Sequence, residues 1–148
     1  MKTAIIYYSR HHGNTKKLVD AIAQDHEVTL IDAVAQKETD LTPYDRIGFA
    51  SGIYFGKFHE SVLKFAEKNL PEGKQVFFLC TYGGKGNTKA ITEAVRAKSS
   101  VILGEFGCHG FDTYGPFKLI GGICKGHPDA RDLEDACRFF EGLDGGAV

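Results

Sequence analysis

Three short segments of this chain gather glycine, hydroxyl, amide, aromatic and basic side chains while holding no Asp or Glu. The first, Ser9-Arg10-His11-His12-Gly13-Asn14-Thr15, leads from an apolar run, Ala4–Tyr8, into helical spacing that begins at Asn14. At a helix start the first backbone N–H groups have no intrahelical acceptor and the dipole is positive, so a dianionic phosphate is the ligand such a place favours. Gly13 allows close approach, Ser9, Asn14 and Thr15 can add hydrogen bonds, and Arg10 with His11 or His12 can add charged donors. A plain helix cap by Asn14 or Thr15 is the simpler use of the same residues. Competing phosphate chemistry is missing: the segment has no GxGxxG, and the chain nowhere has GxxxxGK[ST]. Tyr7-Tyr8-Ser9 stand where a phosphoryl-accepting site would need acids, and no cysteine lies five residues before an arginine there.

The second segment, Ser51-Gly52-Ile53-Tyr54-Phe55-Gly56-Lys57-Phe58-His59, sets two adjacent aromatics between two glycines. A flat aromatic ligand needs a ring to stack on and backbone able to lie edge-on to its heteroatoms, and both are offered. The third, Thr81-Tyr82-Gly83-Gly84-Lys85-Gly86-Asn87-Thr88, holds one aromatic among many N–H donors and suits the ligand's other edge. Each segment taken singly also has an ordinary reading, an aromatic capping the core or a tight glycine turn. No Ser-His-Asp or Cys-His constellation stands out, and adjacent His11 and His12 would share a metal poorly, so no metal site and no catalytic residue is assigned.

The elements that must position these segments alternate in period. Ala4–Tyr8, Val28–Ile31, Arg46–Ser51, Val76–Cys80 and Val101–Phe106 read as strands, and Asn14–Gln24, Phe58–Asn69, Thr88–Lys98 and Asp129–Glu141 as helices with apolar residues three to four apart. Val76–Cys80 is apolar throughout, as a strand covered on both faces must be. Strict alternation predicts one doubly wound α/β domain, a five-stranded parallel sheet in the order 2-1-3-4-5. Gln36–Tyr44 replaces a crossover helix with irregular chain, Gly107–His127 is the least patterned stretch, and Gly142–Val148 should fray. In such sheets ligands sit beyond the carboxyl ends of the strands, which is where the three segments fall.

Composition narrows the function classes. The chain has 148 residues, 43% of them hydrophobic, enough for one packed domain and unlike a disordered or fibrous chain. A formal charge of −1 gives no global reason to expect nucleic acid as partner, and no apolar run approaches the roughly 20 residues of a membrane span. Cys80, Cys108, Cys124 and Cys137 are widely spaced with no CxxC pair, which fits free thiols in a reducing compartment and a cytoplasmic location.

Phosphate on one side and planar rings on the other resemble the requirements of flavin mononucleotide (FMN), and here the chain is similar to the short-chain flavodoxin family over nearly its whole length. The resemblance rests on Tyr8 with Gly13-Asn14-Thr15 as the phosphate loop, Ser51–Gly56 as the first flavin loop and Thr81–Gly86 as the second. It implies FMN held by Ser9, Arg10, His11, His12, Gly13, Asn14 and Thr15, by Ser51, Gly52, Ile53, Tyr54, Phe55 and Gly56, and by Thr81, Tyr82, Gly83, Gly84 and Gly86. Arg10 and His12 stand where the family usually has hydroxyl residues. Without tryptophan, Tyr54 or Phe55 would cover one face of the flavin and Tyr82 lie near the other. Gly52 or Gly56 would let a peptide turn toward the reduced ring.

The resemblance implies electron transfer between redox partners. An NAD(P)H-dependent reductase of quinones or similar small acceptors, and a cofactor-free binding module, are the alternatives. The three segments and their helix starts carry Arg10, Lys16, Lys17, Lys57, Lys85 and Lys89 with no acid. Such a basic rim favours anionic forms at the site and an anionic partner, whether a redox protein or a small-molecule substrate. Oligomeric state is not encoded in any of these patterns.

Overall fold

The computed structural model describes residues 1–10, 13–110 and 126–145. His11, His12 and most of the Gly107–His127 stretch, including Cys124, lie outside the described residues. Among the described residues six strands and four helices follow in the order β1 (Thr3–Tyr8), α1 (Asn14–Asp25), β2 (Val28–Asp32), β3 (Arg46–Tyr54), β4 (Lys57–Phe58), α2 (Glu60–Asn69), β5 (Gln75–Tyr82), α3 (Lys89–Arg96), β6 (Val101–His109) and α4 (Ala130–Gly145). Five strands form a parallel sheet in the order β2-β1-β3-β5-β6. This is the expected 2-1-3-4-5 order once the two-residue β4, which pairs antiparallel with β3 alone, is set aside.

Alternation along the strands builds two cores. Ala4, Ile6, Ile47, Phe49, Val76 and Phe78 face Val62, Phe65, Ala66, Ile91 and Val95 of α2 and α3. Ile5, Ala50, Phe77 and Leu79 face Leu18, Val19 and Ile22 of α1 with Ala136, Phe140 and Leu143 of α4. Burying each large aliphatic or aromatic side chain removes it from water at roughly 1.5–3 kcal/mol, so both layers are held by the same term. Gly48 is needed for one close approach: a Cβ there would lie 2.4 Å from the Phe77 ring, which crosses β3 flat.

Two boundaries differ from expectation. Phe58 does not begin a helix; it lies in β4, fully buried and edge-on to Phe78, because His59 caps α2 and the helix starts at Glu60. At the other end α4 continues to Gly145 instead of fraying from Gly142. Leu143 is buried, and Asp144 accepts from the Arg46 guanidinium at 2.9 Å. Arg46 is itself buried at the amino edge of the sheet, bonded to Thr3 and set 4.7 Å over the Phe140 ring. Among the described residues no helix is long and apolar enough to cross a membrane.

Candidate functional site

The carboxyl ends of β1, β3 and β5 bring the three segments to one rim of the sheet. At the first, Gly13 is the residue before α1 and holds φ 65°, ψ 23°, a left-handed conformation that glycine adopts without strain. Among the described residues a Cβ there would meet nothing within 4 Å, so there conformation and not crowding selects glycine. Gly13 provides no side-chain cap, and the first turn of α1 holds no acid. Ser9 Oγ accepts the Lys16 N–H at 3.0 Å, and a hydroxyl that accepts still has its own O–H to donate.

Asn14 and Thr15 are buried. Thr15 Oγ1 lies 3.0 Å from Thr81 Oγ1, tying the first segment to the third across 66 residues. Gly110, just past β6, donates its N–H to the Tyr82 carbonyl at 2.9 Å and presses on Asn14, where a Cβ would lie 2.7 Å from Nδ2. The start of α1 is therefore braced from β5 and β6, and neither brace shows in local sequence. Arg10 is exposed at the outer side.

The second segment is a hairpin. β3 runs on to Tyr54, Phe55 and Gly56 turn with φ 51° and 80°, and Lys57 and Phe58 return opposite Tyr54 and Ile53. Two central residues at positive φ make a type I′ turn, whose twist matches that of the strands. Ser51, fully buried, donates to the Gly52 carbonyl at 2.6 Å and accepts the His59 N–H at 3.0 Å, so its hydroxyl closes the base of the hairpin. Phe55, at the tip, is 86% exposed.

His59, which sequence reasoning left outside the cofactor set, organises this side. Its ring stacks on Tyr8 at 3.7 Å and 6°, and Tyr54 stands edge-on to both. His59 Nδ1 accepts the Ser61 N–H at 3.1 Å and so caps α2. Using that lone pair requires the neutral ring with its proton on Nε2. Burial likewise holds the imidazole below its ordinary pKa, against an opposing pull from Glu60. A cavity of about 300 Å³ opens over Tyr8, Tyr54 and His59.

At the third segment Thr81 is buried in its bridge to Thr15, and the Tyr82 ring turns toward β6. It covers Gly86 and Gly107, where a Cβ would lie 3.0 Å and 2.9 Å from Cε2, and meets His109 edge-on at 5.0 Å. Tyr8, Tyr54 and His59 thus form one aromatic group and Tyr82 with His109 a second, and Tyr8 and Tyr82 pack on the core beneath α2 and α3. The Thr15–Thr81 bridge lies on the face of α1 and α4.

Among the described residues no thiol is activated at this rim. Cys80, Cys108 and Cys137 are free, and burial pushes the Cys80 and Cys108 thiols up to about 12, far from thiolate. His127, Asp129 and Asp132 gather at the start of α4, where Asp129 and Asp132 each accept the other's backbone N–H and Asp132 bonds His127 at 2.7 Å. That reciprocal pair caps the helix.

Residues 5–107 match the family model described as a flavodoxin domain. Over 147 residues the chain is 38% identical to an uncharacterised protein of Methanocaldococcus jannaschii, covering 97% of this chain and 98% of that one. Among solved structures, oxidised Flavodoxin 2 from Bacillus cereus aligns with a TM-score of 0.68 and 19% identity over 98% of this chain and 99% of its own. General stress protein 14 from Treponema denticola, solved in complex with FMN, aligns with a TM-score of 0.67 and 13% identity over 97% and 99%. At such identities the structural likeness speaks to the fold alone.

Proposed function

The chain belongs to the flavodoxin family, and from that premise we propose that it binds FMN at the rim and carries electrons between redox partners. The observation that carries this reading is the start of α1: a left-handed Gly13 that no described residue crowds, no acid in the first turn, and Ser9 poised beside the first amides. A dianionic phosphate there meets backbone N–H donors and the positive end of the helix dipole. The donor set fits the group. Gly13 with the Asn14 and Thr15 amides would hold the phosphate, Ser9 and Arg10 would add side-chain donors, and the aromatic groups around Tyr8 and Tyr82 would flank the ring.

FMN, when bound, supplies reversible one- and two-electron chemistry at its ring. The chain's part is to seat and tune it. The hairpin, held at its base by Ser51, would present backbone at Gly52 or Gly56 to the ring edge, and the buried Thr15–Thr81 bridge ties the phosphate segment to the third segment. The FMN-bound relative from Treponema denticola supports the cofactor by analogy.

Titration of the apoprotein with FMN and with riboflavin tests this. FMN should bind at least 100-fold more tightly, because only it brings a phosphate to α1, and the pure holoprotein should not turn over NADPH with a quinone. Equal affinities for FMN and riboflavin would remove the phosphate from the account, and rapid quinone turnover would replace the carrier with a reductase.

A further inference from the structure

Of the six basic residues in and next to the three segments, the structure pairs one: Lys16 donates to Asp20 at 2.6 Å. Arg10, Lys17, Lys57, Lys85 and Lys89 are exposed and make no ion pair among the described residues. The acids of the neighbourhood are engaged or displaced. Glu60 pairs with Lys64 at 3.7 Å, Glu105 accepts from the Thr88 hydroxyl, and Asp129 and Asp132 lie at the start of α4 beside His127. The result is a basic crescent over the ends of β1, β3 and β5 on a chain whose formal charge is −1, interrupted at the start of α2 by Glu60 and flanked by acids on the β2 and β6 sides.

At the middle of the crescent stands the hairpin tip. Phe55 is 86% exposed and held at φ 51°, a conformation that costs a bulky residue on the order of 1 kcal/mol and is retained mostly where function requires it. An aromatic tip with basic residues on both sides has the composition of a protein-binding face, where aromatic anchors dominate affinity and charge sets partner and on-rate. Five cations spread over three segments match an extended acidic surface better than one small anion. Resting on the FMN reading, we propose that this crescent, centred on Phe55, docks an acidic redox protein that exchanges electrons with the flavin across the hairpin. Two electrons leave the reduced flavin one at a time for two one-electron acceptors, and its ring protons pass to solvent.

Two probe acceptors of opposite charge read the face directly. Anaerobically reduced holoprotein is mixed with oxidised rubredoxin, a small acidic one-electron iron protein, and separately with ferric cytochrome c, a basic one. The rubredoxin rate should fall roughly tenfold as salt is raised from about 20 to about 300 mM, while the cytochrome c rate rises. The double variant Lys57→Glu/Lys85→Glu, compared as the flavin-loaded protein, should reverse both trends. A flavin-independent readout accompanies it: nuclear magnetic resonance titration with redox-inert zinc-substituted rubredoxin should shift Gly56, Lys57, Gly84 and Lys85 at low salt and not at high salt. Faster reaction with cytochrome c at low salt, or shifts elsewhere on the molecule, overturns the proposal. Failure to take up FMN while the zinc protein still binds at these residues would instead remove the FMN reading and leave the docking face standing.

Discussion

At the start of α2 the chain supplies its own acceptors. His59 Nδ1 takes the Ser61 N–H, Glu60 occupies the first turn, and the ring of the capping residue is wedged against Tyr8. At the start of α4 two aspartates do the same work. The start of α1, on the same rim, has Gly13 in place of a capping side chain, no acid in the first turn, and one amide satisfied from outside by Ser9. Helix ends whose N–H groups are closed internally stabilise the fold. One left without a carboxylate costs some helix stability and retains a positive field for an incoming anion. The contrast separates residues that build the rim from residues that serve a ligand on it.

The sharpest way to break that contrast is to give α1 what α2 has. Gly13→Asp places a carboxylate where a Cβ meets no described residue, so the fold should tolerate it at a cost of about 1 kcal/mol for the left-handed conformation. FMN affinity should fall 100-fold or more, about 2.7 kcal/mol, and riboflavin affinity should hardly change. Fluorescence titration with both ligands alongside denaturant unfolding reads the two effects apart. A variant equally weakened toward riboflavin would mean that the substitution disturbs the ring site instead of opposing the phosphate.

At α2 the signs should exchange. His59→Ala removes a cap and a stacked ring, and should lower stability by about 1–2 kcal/mol while weakening FMN less than tenfold. His59→Asn, which restores an acceptor without the stack, should recover at least half of the lost stability. Larger loss of FMN than of stability would move His59 from the scaffold into the binding site.

The same residue gives a pH signature. Burial lowers its pKa below the ordinary 6.5, so the unfolded chain binds the proton first on acidification, and the stability His59 lends is complete above pH 6.5 and declines as the pH drops toward the native value. His127 runs the other way. Asp132 raises its pKa, so its contribution is complete below 6.5 and is lost as the pH climbs through the raised value. Unfolding free energies across this range should show His59→Asn flattening only the acid limb and His127→Asn only the neutral one.

How much of this was legible in sequence follows from the range of the forces involved. The parallel strands announce themselves because both faces are covered and their residues are apolar without interruption, as in Val76–Cys80. Phe58 misleads because Phe58, Val62 and Phe65 share a helical spacing, yet Phe58 is buried from a strand of two residues, too short to leave any pattern. Gly142 and Gly145 argue locally for an end to α4, and the burial of Leu143 with the Arg46–Asp144 pair overrides them. At the site, the helix start behind Gly13 could be read because it is a local signal. The Thr15–Thr81 bridge and the seat of Asn14 on Gly110 could not, since each joins residues 66 or more apart. Nothing next to Phe55 marks it for positive φ, since phenylalanine is among the residues least suited to it.

That last position offers the mildest test of the contrast. Among the described residues the rim holds three at positive φ near the proposed ligand: Gly13 and Gly56, for which the conformation carries no penalty, and Phe55, for which it does. Phe55→Asn introduces the residue that a type I′ turn before Gly56 prefers, and should raise stability by about 0.5–1 kcal/mol, seen as a thermal midpoint a few degrees higher. Gly13→Asn, by the same conformational reasoning, should move stability by less than that. If Phe55→Asn gains nothing, the ring contacts of Phe55 offset its backbone strain and the tip belongs to the scaffold. If it gains the expected amount while slowing electron exchange with an acidic acceptor, the strain is retained for the surface that Phe55 presents.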